Sequence, residues 1–305
     1  MNRFLDNPVL LKEFRGRMRG GKAFILLTIY LVLLSGMVGI VLLSFTLTEQ
    51  ASYGYGSSGI SEYIGKVLFW VVAGSELMMV CFIAPALTAG AISSEHERQT
   101  YDLLRTTLLS AKSLVFGKFT SAVSFLILLL IVGFPLQSLA YLLGGVAIEE
   151  VLIAFLILVV TVLLFSAIGL FVSSFTKHNL VATVVSYVIA NLIVFGVPAF
   201  AYTALIFIAG TSLSMPTLTT MQETLVTILL IIAAWVFVAI NPIAAAIGTE
   251  VMLITEQSAI YASIPLPNSW SFPLISPWIG YVLFYLLVSL VLIFFSIRFV
   301  KRVDK

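Results

Sequence analysis

Apolar residues gather in long runs at about 23–47, 66–92, 119–143, 151–175, 180–209, 225–248 and 278–299, with polar residues collected between them. Each run approaches or exceeds the roughly 20 residues that carry a helix through bilayer hydrocarbon, so each is a candidate membrane crossing. Charge decides how many cross. If the first five do, the six basic residues before Ala23, the four within 93–118 and Lys177 all fall on one side. Arg298, Lys301, Arg302 and Lys305 join them when the last run ends there, leaving only Lys66 opposite. The positive-inside rule makes that side cytoplasmic, and two cytoplasmic termini require an even number of crossings. The run to exclude is 225–248, because Asn241-Pro242 interrupts it and the following loop, up to Pro277, holds Glu250 and Glu256 but no basic residue. It reads as a re-entrant helical hairpin entered and left from the outer face, then an irregular external loop marked by Pro265, Pro267, Pro273 and Pro277. Seven crossings with an external carboxyl terminus is the alternative.

Two polar segments carry a helical pattern of their own. Asn7-Pro8 is a helix start, and the residues to Arg19 set Leu10, Leu11, Phe14 and Met18 on one side against Lys12, Arg15, Arg17 and Arg19. Residues 1–22 therefore predict an interfacial helix in the headgroup layer, ending at Gly20-Gly21. Residues 93–118 are the one strongly charged block inside the apolar chain. Ser93 or Ser94 can cap a helix there, Glu95 and Glu97 fall in its first turn, and Arg98 with Asp102 makes an i,i+4 pair. Leu103, Leu104, Leu108 and Leu109 supply an apolar side. A short amphipathic helix on one mouth of a membrane bundle is a docking element.

Composition narrows the class. Hydrophobic residues make up 61% and charged residues 10% of the chain, and its mean hydropathy is +1.14. A soluble domain of this length could not make its surface polar, so the expectation is an all-α integral membrane protein with six transmembrane helices. The 305 residues hold about six or seven such helices with nothing over for an ATPase domain. Cys81, the single cysteine, lies in an apolar run, which excludes an internal disulfide and a cysteine-based metal cluster. The net charge of +2 gives no case for nucleic acid. The first apolar run is too long for a signal-peptide core and no small-residue cleavage site follows it.

Little in the chain looks catalytic. Gly16–Lys22, GRMRGGK, fits the first seven positions of a phosphate-binding loop, but Ala23 offers no hydroxyl for magnesium and no strand precedes it. Glu95-His96-Glu97 lacks the second histidine of a zinc motif, since position 100 is Thr, and His178 is the only other histidine. No metal site is expected. Glu76 is the one acidic residue well inside an apolar run, where an unpaired charge costs about 2.5 to 3.5 kcal/mol. It can line a pathway, bond to a neighbouring helix or couple an ion. On the fifth run Thr183, Tyr187 and Asn191 recur every four residues with Ser186 beside them, a stripe that either lines a polar path or packs against another helix.

The run Pro85, Ile92, Ser93, Glu95, Glu97, Thr100, Leu103, Leu104, Thr106, Thr107, Leu109, Ser110 and Gly117-Lys118 resembles the second transmembrane helix and coupling helix of ABC-2 type permeases. The amino-terminal NPVLLKEFRGRMR is similar more weakly, and Gln99 and Leu108 stand where such proteins often carry Gly and Pro. The resemblance implies a single transmembrane domain over 1–305, with 93–118 as the cytoplasmic coupling loop and 225–277 as re-entrant segment and external loop. It implies the permease subunit of an ABC transporter in the cytoplasmic membrane, paired with a second permease subunit, identical or different. Two copies of a separate cytoplasmic ATPase would bind ATP and magnesium, and this chain would hold no cofactor or catalytic residue. The docking residues would be Glu95, Glu97, Arg98, Tyr101, Asp102, Leu104 and Arg105. A pathway formed by the first, second and fifth helices would use Glu76, Thr183, Ser186, Tyr187 and Asn191. Export is favoured, and the substrate is not legible. The competing reading is a self-sufficient protein: a secondary transporter coupled through Glu76, or a lipid-modifying enzyme.

Overall fold

A computed structural model describes residues 12–14, 16, 21–51, 60–99, 110–200, 203, 220–256, 258–265 and 271–302. Its helices are α1 (Gly21–Ala51), α2 (Ile60–Thr88), α3 (Ser93–Glu97), α4 (Ala111–Leu142), α5 (Ile148–Phe175), α6 (Asn179–Asn191), α7 (Thr220–Ile240), α8 (Pro242–Glu256) and α9 (Pro277–Arg302). Among the described residues six helical segments are long and apolar enough to cross a membrane: Ala23–Leu47, Ser61–Glu97, Ala111–Leu142, Ile148–Phe175, Asn179–Phe200 and Pro277–Lys301. The protein is an all-α, multi-pass membrane protein. The interrupted run falls into two pieces too short for that set, Thr224–Ile240 and Pro242–Thr255.

One compact unit comprises residues 1–187 and 288–305. Its centre is α5, two-thirds buried along its apolar window against 17% for α1. Helices α2 and α4 pack along α5 and along each other, and α1 lies on α2 and α4. The core side chains Leu68, Val72, Leu126, Leu129, Val162, Leu164 and Phe165 are sealed from the surface. No hydrophobic force drives helices together within lipid, so close fit must do it. The turn between α4 and α5 shows how close. Gly144 and Gly145 have φ near +83° and +84°, a region that favours glycine, and a Cβ on Gly145 would fall 2.1 Å from the carbonyl oxygen of Glu62 at the start of α2.

In the second unit, residues 188–287, Asn241 links two helical segments. After Asn191, α6 continues as a π-turn over Leu192–Gly196, which misaligns carbonyls that a regular helix would satisfy. The buried Asn241 amide donates to the carbonyls of Ile193 and Val194 at 2.8 Å each, while its own oxygen accepts the Ala244 N–H at 2.9 Å. Asn241 therefore caps α8, and Pro242 takes the first helical position, where a missing N–H costs nothing.

Beyond α8 the expectation of an irregular loop is corrected in part. Tyr261–Pro265 and Ser271–Ile275 pair as an antiparallel two-stranded ribbon, with Pro273 opposite Ser263. Each strand of a two-stranded ribbon has a free edge, and a proline whose nitrogen faces that edge breaks no ladder bond. Trp235 donates its indole N–H to the Ile275 carbonyl at 2.6 Å and so ties the ribbon to α7.

Candidate coupling interface and intramembrane carboxylate

The charged block starts as a helix at Ser93, but with a different cap and a shorter run than expected. Helix α3 runs only Ser93–Glu97, and Gln99 has φ +56°. That left-handed backbone suits glycine, the residue common at this position in the family resembled, and it ends the helix. Glu97 thus closes α3 instead of falling in its first turn. Tyr101, Asp102, Leu104 and Arg105 lie outside the described residues, as does most of the amino-terminal helix, of which residues 12–14 and 16 are helical.

Ser93 and Ser94 do not cap α3. Their hydroxyls turn back to the carbonyls of Ala89 and Gly90, and the cap residue is Ile92. The donors at the helix start are met from α5, where the Ser173 hydroxyl accepts the N–H groups of Ile92 and Ser93 at 2.9 and 3.0 Å. The reason is the tight seat of the segment before it, since a Cβ on Gly169 of α5 would come within 2.0 Å of the Thr88 hydroxyl. Glu97 and Arg98 are left exposed.

Behind α3 stands Lys118, near the start of α4, its side chain 8% exposed. Its ammonium donates to Glu95 of α3 and to Glu13 of the amino-terminal segment, both at 3.2 Å. A nearly buried ammonium must be matched by opposite charge, and two carboxylates from two separate segments supply it here. The cation thereby fastens both segments to α4.

Glu76 is fully buried in α2. Gln137 of α4 donates to its Oε2 at 2.6 Å, and Tyr30 of α1 turns its hydroxyl toward Oε1 at 3.5 Å. Gly133 makes room: a Cβ there would lie 2.1 Å from Oε1. Among the described residues no cation partners this carboxyl group. Beside it, α1 and α2 enclose an open apolar groove of about 720 Å³ with Tyr30, Trp70, Ser75, Met79 and Phe82 in its walls.

The stripe on α6 is spent largely on bonding. Thr183 and Ser186 donate to the carbonyls of Asn179 and Ala182 on their own helix, at 2.9 and 2.7 Å. Tyr187 crosses to α2 and donates to the Phe82 carbonyl at 2.7 Å. Asn191 is half-buried at the end of α6.

A profile of the ABC-2 family transporter proteins matches residues 8–302. The chain belongs to the ABC-2 family. It is a transport membrane subunit, the permease of an ABC transporter, and membership implies association with an ABC ATPase and with a second permease subunit. No curated protein matches the chain.

In this ABC-2 permease, the sequence places Lys118 at the end of the charged block without a partner and gives Ser173, Tyr30 and Gln137 no role. A usable signal existed for three of them: Lys118, Tyr30 and Gln137 are polar groups in apolar helices, and burying each one there calls for a partner. Ser173 gave no such signal, because a serine satisfied by its own helix looks the same in sequence.

Proposed function

We propose that this permease exports its cargo across the cytoplasmic membrane, paired with a second permease subunit and driven by two copies of a cytoplasmic ATPase that bind ATP and magnesium. Both termini face the cytoplasm, and α7–α8 re-enters from the outer face. The ATPase docks on the α3 block through Glu95, Glu97, Arg98, Tyr101, Asp102, Leu104 and Arg105. The observation that carries this reading is the Lys118 bridge. It ties Glu95 of α3 and Glu13 of the amino-terminal segment to one helix, so a push on either segment is delivered to α4. Exposed Glu97 and Arg98 leave charged groups available to a partner. Closure of the ATPases on ATP would move α3 and the helices behind it, switching access to a pathway that includes Glu76, Thr183, Ser186, Tyr187 and Asn191.

The test is co-purification of the tagged permease from native membranes with its ATPase. Glu97→Ala and Arg98→Ala together are expected to lower ATPase retention and permease-stimulated turnover at least several-fold, because hydrogen-bonded charges at an interface are worth about 2 kcal/mol or more. Full retention and stimulation in the double variant would remove the docking role from α3. A permease that purifies alone and moves cargo on a proton gradient would replace the whole reading with a secondary transporter.

A further inference from the structure

We infer that the groove between α1 and α2 binds lipophilic cations, bulky apolar molecules carrying one positive charge, with Glu76 as the counter-charge behind its wall. This rests on the permease reading and names the class of its cargo.

Three observations converge. The groove holds about 720 Å³, and its walls are apolar apart from Tyr30 and Ser75. Met37, Met78 and Met79 make those walls adaptable, and Trp70, Phe82 and Tyr30 offer aromatic rings to a cation. Tyr30 belongs both to the groove and to the carboxyl cluster, its hydroxyl 3.5 Å from Glu76 Oε1. That contact is long for an O–H···O bond, so little is lost when Tyr30 shifts to receive a guest. The third observation is an imbalance behind Tyr30. Glu76 is fully buried with no described cation beside it, and the Gln137 amide that donates to it leaves its own Oε1 buried without a hydrogen-bond partner. A carboxyl group and a carbonyl oxygen both favour positive charge.

The geometry also selects the kind of cation. A small hard ion needs several oxygens in direct contact. The groove exposes no such cage, since Glu76 and Gln137 stand behind its wall and are not part of the lining. A phosphonium or quaternary ammonium centre needs none. Resting on the Tyr30 ring, within roughly 6 Å of its centroid, it would draw Glu76 into its ionised form, the low-dielectric medium weakening the attraction little and the carboxyl proton leaving to water. Its apolar substituents would fill the groove.

The test is equilibrium binding of tetraphenylphosphonium to the purified permease in nanodiscs, with uncharged triphenylphosphine oxide as control. No ATPase is needed, so a failure here leaves the docking result standing, and the reverse holds too. Glu76→Gln keeps a hydrogen-bonding side chain of the same size, so a merely structural carboxyl group would lose little. The expected result is phosphonium binding weakened about ten-fold or more, with binding of the oxide unchanged. Gly74→Phe provides a second variant. Gly74 lines the groove and a Cβ there meets nothing within 4 Å, so a side chain placed there starts from open space and occupies the groove. It is expected to abolish binding of both probes. Equal phosphonium affinity in wild type and Glu76→Gln would overturn the proposal and make the groove a site for neutral or lipid chains. Displacement of phosphonium by sodium but not by choline would overturn it as well, in favour of a free-ion site.

Discussion

Lys118 and Glu76 show opposite solutions to a charge placed among apolar helices. Lys118 sits where α4 begins and is neutralised by Glu13 and Glu95, each side chain still 27–28% exposed. Lys118→Met should cost about 1–3 kcal/mol, because the two carboxylates can rehydrate once the ammonium is gone. Lys118→Arg should restore most of that. If the bridge transmits motion, Lys118→Met should also keep ATPase co-purification while ATP-driven transport falls, a split that a stability loss alone would not give. Glu76 has the tighter fit. Gly133→Ala would press a methyl group against its Oε1 and against the Tyr30 hydroxyl while Gln137 holds the other carboxyl oxygen, and should lower stability by about 1–3 kcal/mol in thermal unfolding. The same change at Gly74, whose Cβ position is open, should be neutral or stabilising by up to about 1 kcal/mol. Residue type announced that Glu76 mattered. It did not announce Tyr30 and Gln137 as its partners, because those lie on other helices.

At the scale of elements, helix identity was legible and helix ends were not. Runs of apolar residues predicted every long helix, since burying backbone in lipid leaves a helix as the only satisfied state for a single segment. Ends depend on what neighbours offer. Ser173 supplies the start of α3, and Gln99 ends it by a backbone angle that composition does not reveal. Asn241 is the instructive exception, since Asn-Pro reads as a break from sequence alone. Only the structure shows that the same amide repairs the π-turn at Leu192–Gly196. Asn241→Ala removes a cap and leaves one buried and one part-buried carbonyl short of a donor, so a loss of about 2–4 kcal/mol is expected. Hydrogen exchange that quickens at both 192–200 and 242–246 would verify that one side chain serves both elements. Faster exchange confined to 242–246 would reduce Asn241 to a simple cap.

At the scale of the whole molecule, the side on which each loop lies reports which segments cross. Six crossings with an α7–α8 hairpin returning to the outer face would put fifteen basic residues on one side, the distribution that the positive-inside rule favours. Single cysteines in a Cys81→Ser background test this with a membrane-impermeant maleimide. Lys177→Cys should react only from the cytoplasmic side and Ser263→Cys only from outside. Reaction of both from the cytoplasmic side would mean seven crossings. The sequence by itself determined the class, the six spans and the place of the charged block, because solvation in a bilayer is a local property summed along the chain. Tertiary structure alone decided that Lys118 joins two distant carboxylates, that Ser173 caps a helix some 80 positions away, and that Tyr30 stands between a groove and a buried carboxyl group. Each of those depends on how helices rotate against one another. That rotation is set by close contacts such as Gly133 on Glu76 and Gly169 on Thr88, which no pattern along one helix encodes.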